Sequence, residues 1–208
     1  MKKISQELLK IKAVFLNPTK PFIWASGIKS PIYTDNRLVI SHPKSRDLIE
    51  LALSKLIKKQ FPKVEIIVGT ATAGIPHAAY VSKILNLPMA YVRSKTKNHG
   101  RNKPIEGTIT KNTPLVVIED LLSTGQSALE VVKILRAEQL KVLGVVSIFT
   151  YQMKTCHHNF QKAKCKVFSL CSLDELIIEA IKLKYITPYQ AKQIIKFRNN
   201  PKDLSWMN

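Results

Sequence analysis

Two apolar rhythms alternate along the chain. Short continuous runs rich in β-branched residues read as buried strands, and longer stretches with apolar positions every three or four residues read as helices. The strand runs fall at residues 64–69, 87–93, 115–120, 142–149 and 167–170. Helices are predicted over 4–15, 43–60, 76–85 and 127–138, the last with Leu129, Val132 and Leu135 or Ile134 on one face. Pro76 sits in a first turn, where proline is tolerated. Residues 173–198 read as two helices divided by Thr187-Pro188, the first behind Ser172 as N-cap. Strands separated by helices imply right-handed crossovers. The expectation is an α/β fold with a five-stranded, mostly parallel central sheet flanked by helices. It is expected to form one domain over 1–208: an N-terminal part (1–60), a core (61–172) and C-terminal helices (173–208).

Composition narrows the setting. With 208 residues and 45% hydrophobic content, the chain can bury a sizeable core and is not a disordered segment. No apolar run approaches the roughly 18 residues of a membrane span, so no membrane partner is expected. The basic start Met1-Lys2-Lys3 has no signal-peptide core behind it. Three cysteines cannot make a disulfide framework. The expected compartment is the cytoplasm. Lys+Arg number 33 against 14 Asp+Glu, a net charge of +19. That excess suits nucleic acid, an anionic membrane or a phosphorylated metabolite equally well.

Placement says more than totals. Of seven glycines, Gly69, Gly74, Gly100, Gly107 and Gly125 fall in three loops, each after a predicted strand. Ligands of open parallel sheets bind beyond those strand ends. Between Ile66 and Ile118 the only carboxylate is Glu106, among Lys83, Arg93, Lys95, Lys97, Arg101, Lys103 and Lys111. Glu119 and Asp120 then stand side by side, repel one another, and call for a diol, a cation or a basic partner.

The surrounding sequence is Val117-Ile118-Glu119-Asp120-Leu121-Leu122-Ser123-Thr124-Gly125-Gln126-Ser127-Ala128. A strand delivers two acids, and a hydroxyl-rich turn opens a helix. Unpaired N–H groups and the dipole at such a start favour a phosphate. The acids upstream suit a sugar diol, and the two together describe a ribose 5-phosphate. Other phosphate motifs fail. There is no Gly-x-Gly-x-x-Gly, and the Walker-like spacing from Gly69 to Gly74 is followed by Ile75-Pro76 rather than Lys-Ser/Thr.

Residues 117–128 resemble the phosphoribosyl pyrophosphate (PRPP) motif of type I phosphoribosyltransferases. Segments 25–37, 69–76 and 93–107 narrow the resemblance to the orotate phosphoribosyltransferase family, in its compact bacterial form. The resemblance implies that family's fold with a small N-terminal hood. It also implies transfer of ribose 5-phosphate from PRPP to N1 of orotate, Mg2+ bound with PRPP, and a homodimer. Glu119 and Asp120 match the acids on the ribose hydroxyls. Leu121, Leu122, Ser123, Thr124, Gly125, Gln126 and Ser127 match the 5′-phosphate loop, with Ser123 also touching orotate. Thr72 and Ala73 match the pyrophosphate loop. Arg93, Lys97 and His99 match PRPP-binding positions of a mobile lid that closes over the neighbouring subunit, and Lys97 and His99 match its catalytic positions.

Several positions depart from the family pattern. Gln126 stands where a glycine is common, which suits only a negative φ. Ala25, Ala73 and Ser94 stand where some members place lysine, and Thr150-Tyr151 stands where others carry an orotate-binding arginine. That leaves the orotate carboxylate to donors near Lys29–Thr34. Ser26 to Arg37 argue against a purine enzyme. Lys97 and His99 argue against a PRPP-sensing nucleic-acid regulator, so nucleic acid is not the expected partner. Cys156-His157-His158 with Cys165 and Cys171 lacks a Cys-x-x-Cys knuckle and reads as a Lys-rich connection rather than a metal site. His77 reads as structural.

Overall fold

The computed structural model describes residues 2–24, 27–93 and 104–207. Helix α1 (Lys2–Lys10) turns Ile4, Leu8 and Leu9 inward. It ends well before the expected residue 15. Lys12 takes a left-handed φ of 56°, and the Lys12 and Ala13 N–H groups return to the Leu9 and Leu8 carbonyls at 3.1 and 2.9 Å. Val14-Phe15-Leu16 is strand β1 (Val14–Leu16) instead. Strands β2 (Phe22–Ile23), β3 (Lys29–Ser30) and β4 (Ile32–Thr34) follow, with β1 antiparallel to β4 and β2 antiparallel to β3. These two small ribbons are the hood. A 3-10 turn over Asn36–Ser41 leads into α2 (Pro43–Gln60), which matches its expected bounds and carries proline in its first turn.

Next come β5 (Ile66–Thr70), α3 (Gly74–Leu85), β6 (Met89–Val92), β7 (Ile105–Glu106), β8 (Pro114–Leu122) and α4 (Gln126–Ala137). Then follow β9 (Lys141–Thr150), α5 (Lys154–Lys162), β10 (Lys166–Ser172), α6 (Leu173–Lys182) and α7 (Pro188–Asn199). Ser172 and Thr187 both close capping boxes, so the division at Thr187-Pro188 falls where expected.

The central sheet has six strands, not five, in the order β10-β9-β8-β5-β6-β7. Five are parallel. The sixth, β7, is antiparallel on the edge, with Tyr91 opposite Glu106 and Val92 opposite Ile105. Two residues are too few to show a period, so this strand left no pattern to read. Every residue of β5 is buried, as are five consecutive residues of β8. Strands covered on both faces carry such unbroken apolar runs. A second correction concerns 154–166. The expected connection is helix α5, whose Cys156 and Phe160 form a one-turn apolar stripe buried on the core.

Helix α3 packs with α2, and α4 packs with α5. The right-handed crossovers place these pairs on opposite faces. From β5 the chain adds β6 on one side and β8, β9 and β10 on the other. The reversal falls between β5 and β8, where a doubly wound sheet opens a crevice. The loops after both strands, residues 71–73 and 123–125, emerge there. Among the described residues no helix is long and apolar enough to cross a membrane.

Candidate active site

Strand β8 carries the acid pair out to the crevice. Successive side chains on a strand point to opposite faces, and here the two acids divide accordingly. Glu119 is 7% exposed and Asp120 is half-buried. Burial, and then the Asp120 charge, push the Glu119 carboxyl up to about 8, while the Thr70 hydroxyl beside it works the other way. The pair is thus split into a buried acid and a half-buried one. Asp120 is fixed through its backbone. Its N–H donates to Glu119 Oε1 at 3.0 Å, and its carbonyl accepts from Asn36 Nδ2 at 2.7 Å. Asn36 is fully buried at the start of the 3-10 turn, so the hood is tied directly to the acid strand.

Leu121 and Leu122 remain in β8, and the turn proper is Ser123-Thr124-Gly125. Gly125 is the N-cap of α4, with φ 75° and no side-chain cap. The first N–H groups of α4, at Gln126 and Ser127, thus lack the usual side-chain acceptor. The left-handed residue is Gly125, and Gln126 already lies inside the helix, so a side chain at 126 is accommodated. Helix α5 holds this turn from behind. Asn159 Nδ2 donates to the Thr124 carbonyl at 3.0 Å, and a Cβ on Gly125 would come within 2.5 Å of the Phe160 ring.

Two cavities flank the turn. One, of about 480 Å3, is bordered by Thr70, Ala71, Arg93, Thr124, Gln126 and Ser127. The other, of about 410 Å3, lies under the hood and is bordered by Trp24, Tyr33, Thr34, Leu121, Ser123 and Tyr151. Trp24 and Tyr151 stack at 5.6 Å with 12° between the rings, and Phe197 of α7 meets Trp24 edge-on at 5.5 Å. Burial pushes the Tyr151 phenol above its ordinary value, so it stays a neutral hydroxyl. A larger cavity of about 600 Å3 lies away from the crevice, between α5 and β10. Polar groups there are bonded to their neighbours: Ser169 to Ser147 at 2.6 Å, and Gln152 Oε1 to the Asp174 N–H at 3.2 Å.

The remaining expected residues divide in two. Thr72 is exposed in the turn after β5, and Ala73 is the N-cap of α3. Arg93 borders the 480 Å3 cavity, with its Nε 3.2 Å from Glu106 Oε1. Lys97 and His99 lie outside the described residues. Thr70, Asn36, Trp24 and Asn159 were not read from the sequence as part of the site. Their partners lie far along the chain, and no local pattern marks them.

Residues 39–182 match the family described as a phosphoribosyl transferase domain, so the class of protein that this fold and crevice define is a phosphoribosyltransferase. The chain is 49% identical to the orotate phosphoribosyltransferase of Lactococcus lactis subsp. lactis (strain IL1403) over 207 residues, covering 100% of this chain and 98% of that one. It belongs to the orotate phosphoribosyltransferase family. Among solved structures, Leishmania donovani UMP synthase superposes with TM-score 0.81 at 25% identity, over 95% of this chain but 42% of that longer one. The orotate phosphoribosyltransferase of Aeropyrum pernix gives TM-score 0.76 at 24% identity, over 88% and 99%.

Proposed function

We propose that this chain transfers the 5-phosphoribosyl group of PRPP to N1 of orotate, giving orotidine 5′-monophosphate and pyrophosphate in UMP biosynthesis in the cytoplasm. The observation that carries this is the turn 123–125 standing between two cavities. Ser123 borders the hood side, and Thr124 and Ser127 border the other. One loop therefore reaches both an acceptor base and a phosphorylated sugar.

The start of α4 and the hydroxyls of Ser123, Thr124 and Ser127 receive the 5′-phosphate, with Gly125 and Gln126 supplying backbone and Leu121 and Leu122 anchoring the loop to the sheet. Asp120 accepts from a ribose hydroxyl. Glu119, whose carboxyl is raised toward its neutral form by burial and then by the Asp120 charge, faces the neighbouring one as a donor. Thr72 and Ala73 offer backbone to the pyrophosphate at the start of α3. Orotate lies under the hood beside Ser123, Tyr33 and Thr34, over the Trp24–Tyr151 stack. Asp120 is a hard oxygen donor at the rim of the crevice and fits Mg2+ carried in with PRPP. When bound there, the ion would neutralise charge on the pyrophosphate.

In the transfer, N1 of orotate gives up its proton to the departing pyrophosphate or to solvent and bonds to the ribose C1, as the bond from C1 to pyrophosphate breaks. Positive charge develops on the ribose and negative charge on the leaving group. Arg93 at the border of the 480 Å3 cavity, and Lys97 and His99 on a lid supplied by the partner subunit of a homodimer, meet that negative charge and exclude water that would hydrolyse PRPP. Steady-state turnover with PRPP and Mg2+, offering orotate, adenine, guanine and hypoxanthine in turn, tests the reading. Only orotate should release pyrophosphate. No orotate-dependent release, together with salt-sensitive RNA or DNA binding, would replace it with a nucleic-acid regulator.

A further inference from the structure

Helix α3 starts at Gly74, directly after turn 71–73. Its first turn is held on two sides. Toward the sheet there is no room to shift: a Cβ on Gly74 would stand 2.5 Å from the Ile118 carbonyl oxygen, and one on Gly69 would stand 2.9 Å from the Ile75 Cα. Toward α2 the turn is held by a buried polar pair. His77 Nδ1 and Glu50 Oε1 lie 2.5 Å apart, with His77 0% and Glu50 1% exposed. In helical geometry the His77 N–H answers the carbonyl four residues back, that of Ala73. The imidazole and the last residue of turn 71–73 therefore belong to one helical turn.

As a source of stability the pair is poor. Burial raises the Glu50 carboxyl above its ordinary range, against the pull of His77 and of the nearby Arg46 guanidinium. Arg46 itself is held over the Tyr80 ring of α3, 4.5 Å from its centroid. Glu50 Oε2 and His77 Nε2 are both buried without a hydrogen-bond partner among the described residues. Buried polar atoms left so carry a desolvation cost that nothing offsets. Apolar residues of similar volume often serve a core as well or better than a buried ion pair. What an apolar pair cannot supply is direction. A short polar contact sets both distance and angle between α2 and the first turn of α3.

We propose that Glu50 and His77 are positioning residues for the pyrophosphate: by fixing the first turn of α3 they aim the backbone groups of Thr72 and Ala73 at the leaving group. Neither touches substrate. The inference rests on reading turn 71–73 as the pyrophosphate site.

The test is the double variant Glu50→Leu/His77→Leu, which removes both members of the pair together. Melting temperature, kcat, and KM for PRPP, orotate and pyrophosphate (the last in the reverse reaction) are measured beside the unaltered chain. The expected result is a melting temperature at or above that of the parent. KM for PRPP and pyrophosphate should rise by about fivefold or more, and KM for orotate should stay within about twofold. His77→Asn, which keeps a side-chain donor toward Glu50, should recover most of the PRPP affinity. A folded double variant with parental KM for PRPP and pyrophosphate overturns the proposal, as does an equal rise in the orotate KM. If the double variant does not fold, Glu50→Gln and His77→Asn decide, and parental PRPP KM in both overturns it. An unaltered chain that fails to turn over orotate and PRPP overturns instead the function on which the inference rests.

Discussion

Gly125→Ala tests how the phosphate turn is built, because two separate features of the structure oppose a side chain there. The residue sits at φ 75°, in the left-handed region. An L-residue with a Cβ costs about 1–2 kcal/mol there. The added methyl would also stand 2.5 Å from Phe160 Cε2, 3.1 Å from Phe160 Cδ2 and 3.2 Å from Cys156 Sγ. Both partners lie on α5 and are buried, so neither ring nor thiol can swing into solvent. Overpacking of this kind costs about 1–3 kcal/mol. The combined loss is about 2–5 kcal/mol, which for a chain of this size lowers Tm by roughly 4–20 °C.

The two contributions separate in a double-mutant cycle. Phe160→Leu removes the ring edge but leaves φ unchanged. Gly125→Ala/Phe160→Leu should therefore lose less than the two single variants together, with a coupling of about 1 kcal/mol or more. Thermal unfolding of the four chains gives the cycle, and PRPP saturation tests the proposed phosphate site at this turn. A Gly125→Ala chain that melts within about 2 °C of the parent, with parental PRPP KM, would refute the reasoning. Strict additivity would refute the part assigned to α5.

Glu119 supplies a pH prediction. Its carboxyl is lifted from 4.5 to about 8, so across that window the folded chain holds a proton that the unfolded chain has released. Its contribution to stability is full below pH 4.5 and is lost as pH rises through 8, so Glu119→Gln should gain Tm over the parent steadily from about pH 5 to pH 9, and a difference flat with pH contradicts it. Asn36→Ala removes the 2.7 Å bond to the Asp120 carbonyl. It should destabilise the chain by about 1–3 kcal/mol and raise the PRPP KM, whereas unchanged PRPP kinetics would detach Asn36 from the site. On the proposed reading of Lys97 as a lid residue acting in the transition state, Lys97→Ala should lower kcat by more than about tenfold with little change in PRPP KM, and unchanged turnover would sink that assignment. Inactive Lys97→Ala and Asp120→Asn chains should regain part of their activity as mixed dimers, and verified heterodimers without any activity would place the lid over its own subunit.

What could be read from the sequence was whatever is contiguous and long. Strand β8 announces itself because nine residues run through a sheet covered on both faces. The phosphate turn follows it without a break, so strand, acids and helix start were legible together. Elements defined by a distant partner were not. The two residues of β7 become a strand only against Tyr91 and Val92, and residues 14–16 leave the expected helix only because Ile32–Thr34 offers them an edge. Helix α5 shows only Cys156 and Phe160 as its apolar stripe, too little to outweigh its polar neighbours. The supports of the site follow the same rule. Asn36 holds Asp120, Asn159 holds Thr124 and Glu50 holds His77, each across a sequence gap that no periodicity spans.

The net charge of +19 also changes meaning once the helices are placed. Each of the seven described α-helices carries a lysine or arginine in its last turn: Lys10, Lys58 and Lys59, Lys83, Arg136, Lys162, Lys182, and Lys196 with Arg198. Cations there oppose the negative end of the helix dipole. The first turns show no matching pattern of acids. Only α6 has them, as Asp174 and Glu175, and the two helices that open into the crevice, α3 and α4, have none. Part of the charge thus quiets the helix ends away from the crevice, while the positive ends within it are left without a side-chain anion of their own. The proposed function puts a phosphate at one helix start and a pyrophosphate at the other, and both need those ends open. An acid in the first turn of either helix would stabilise the free chain and compete with the substrate for the same N–H groups.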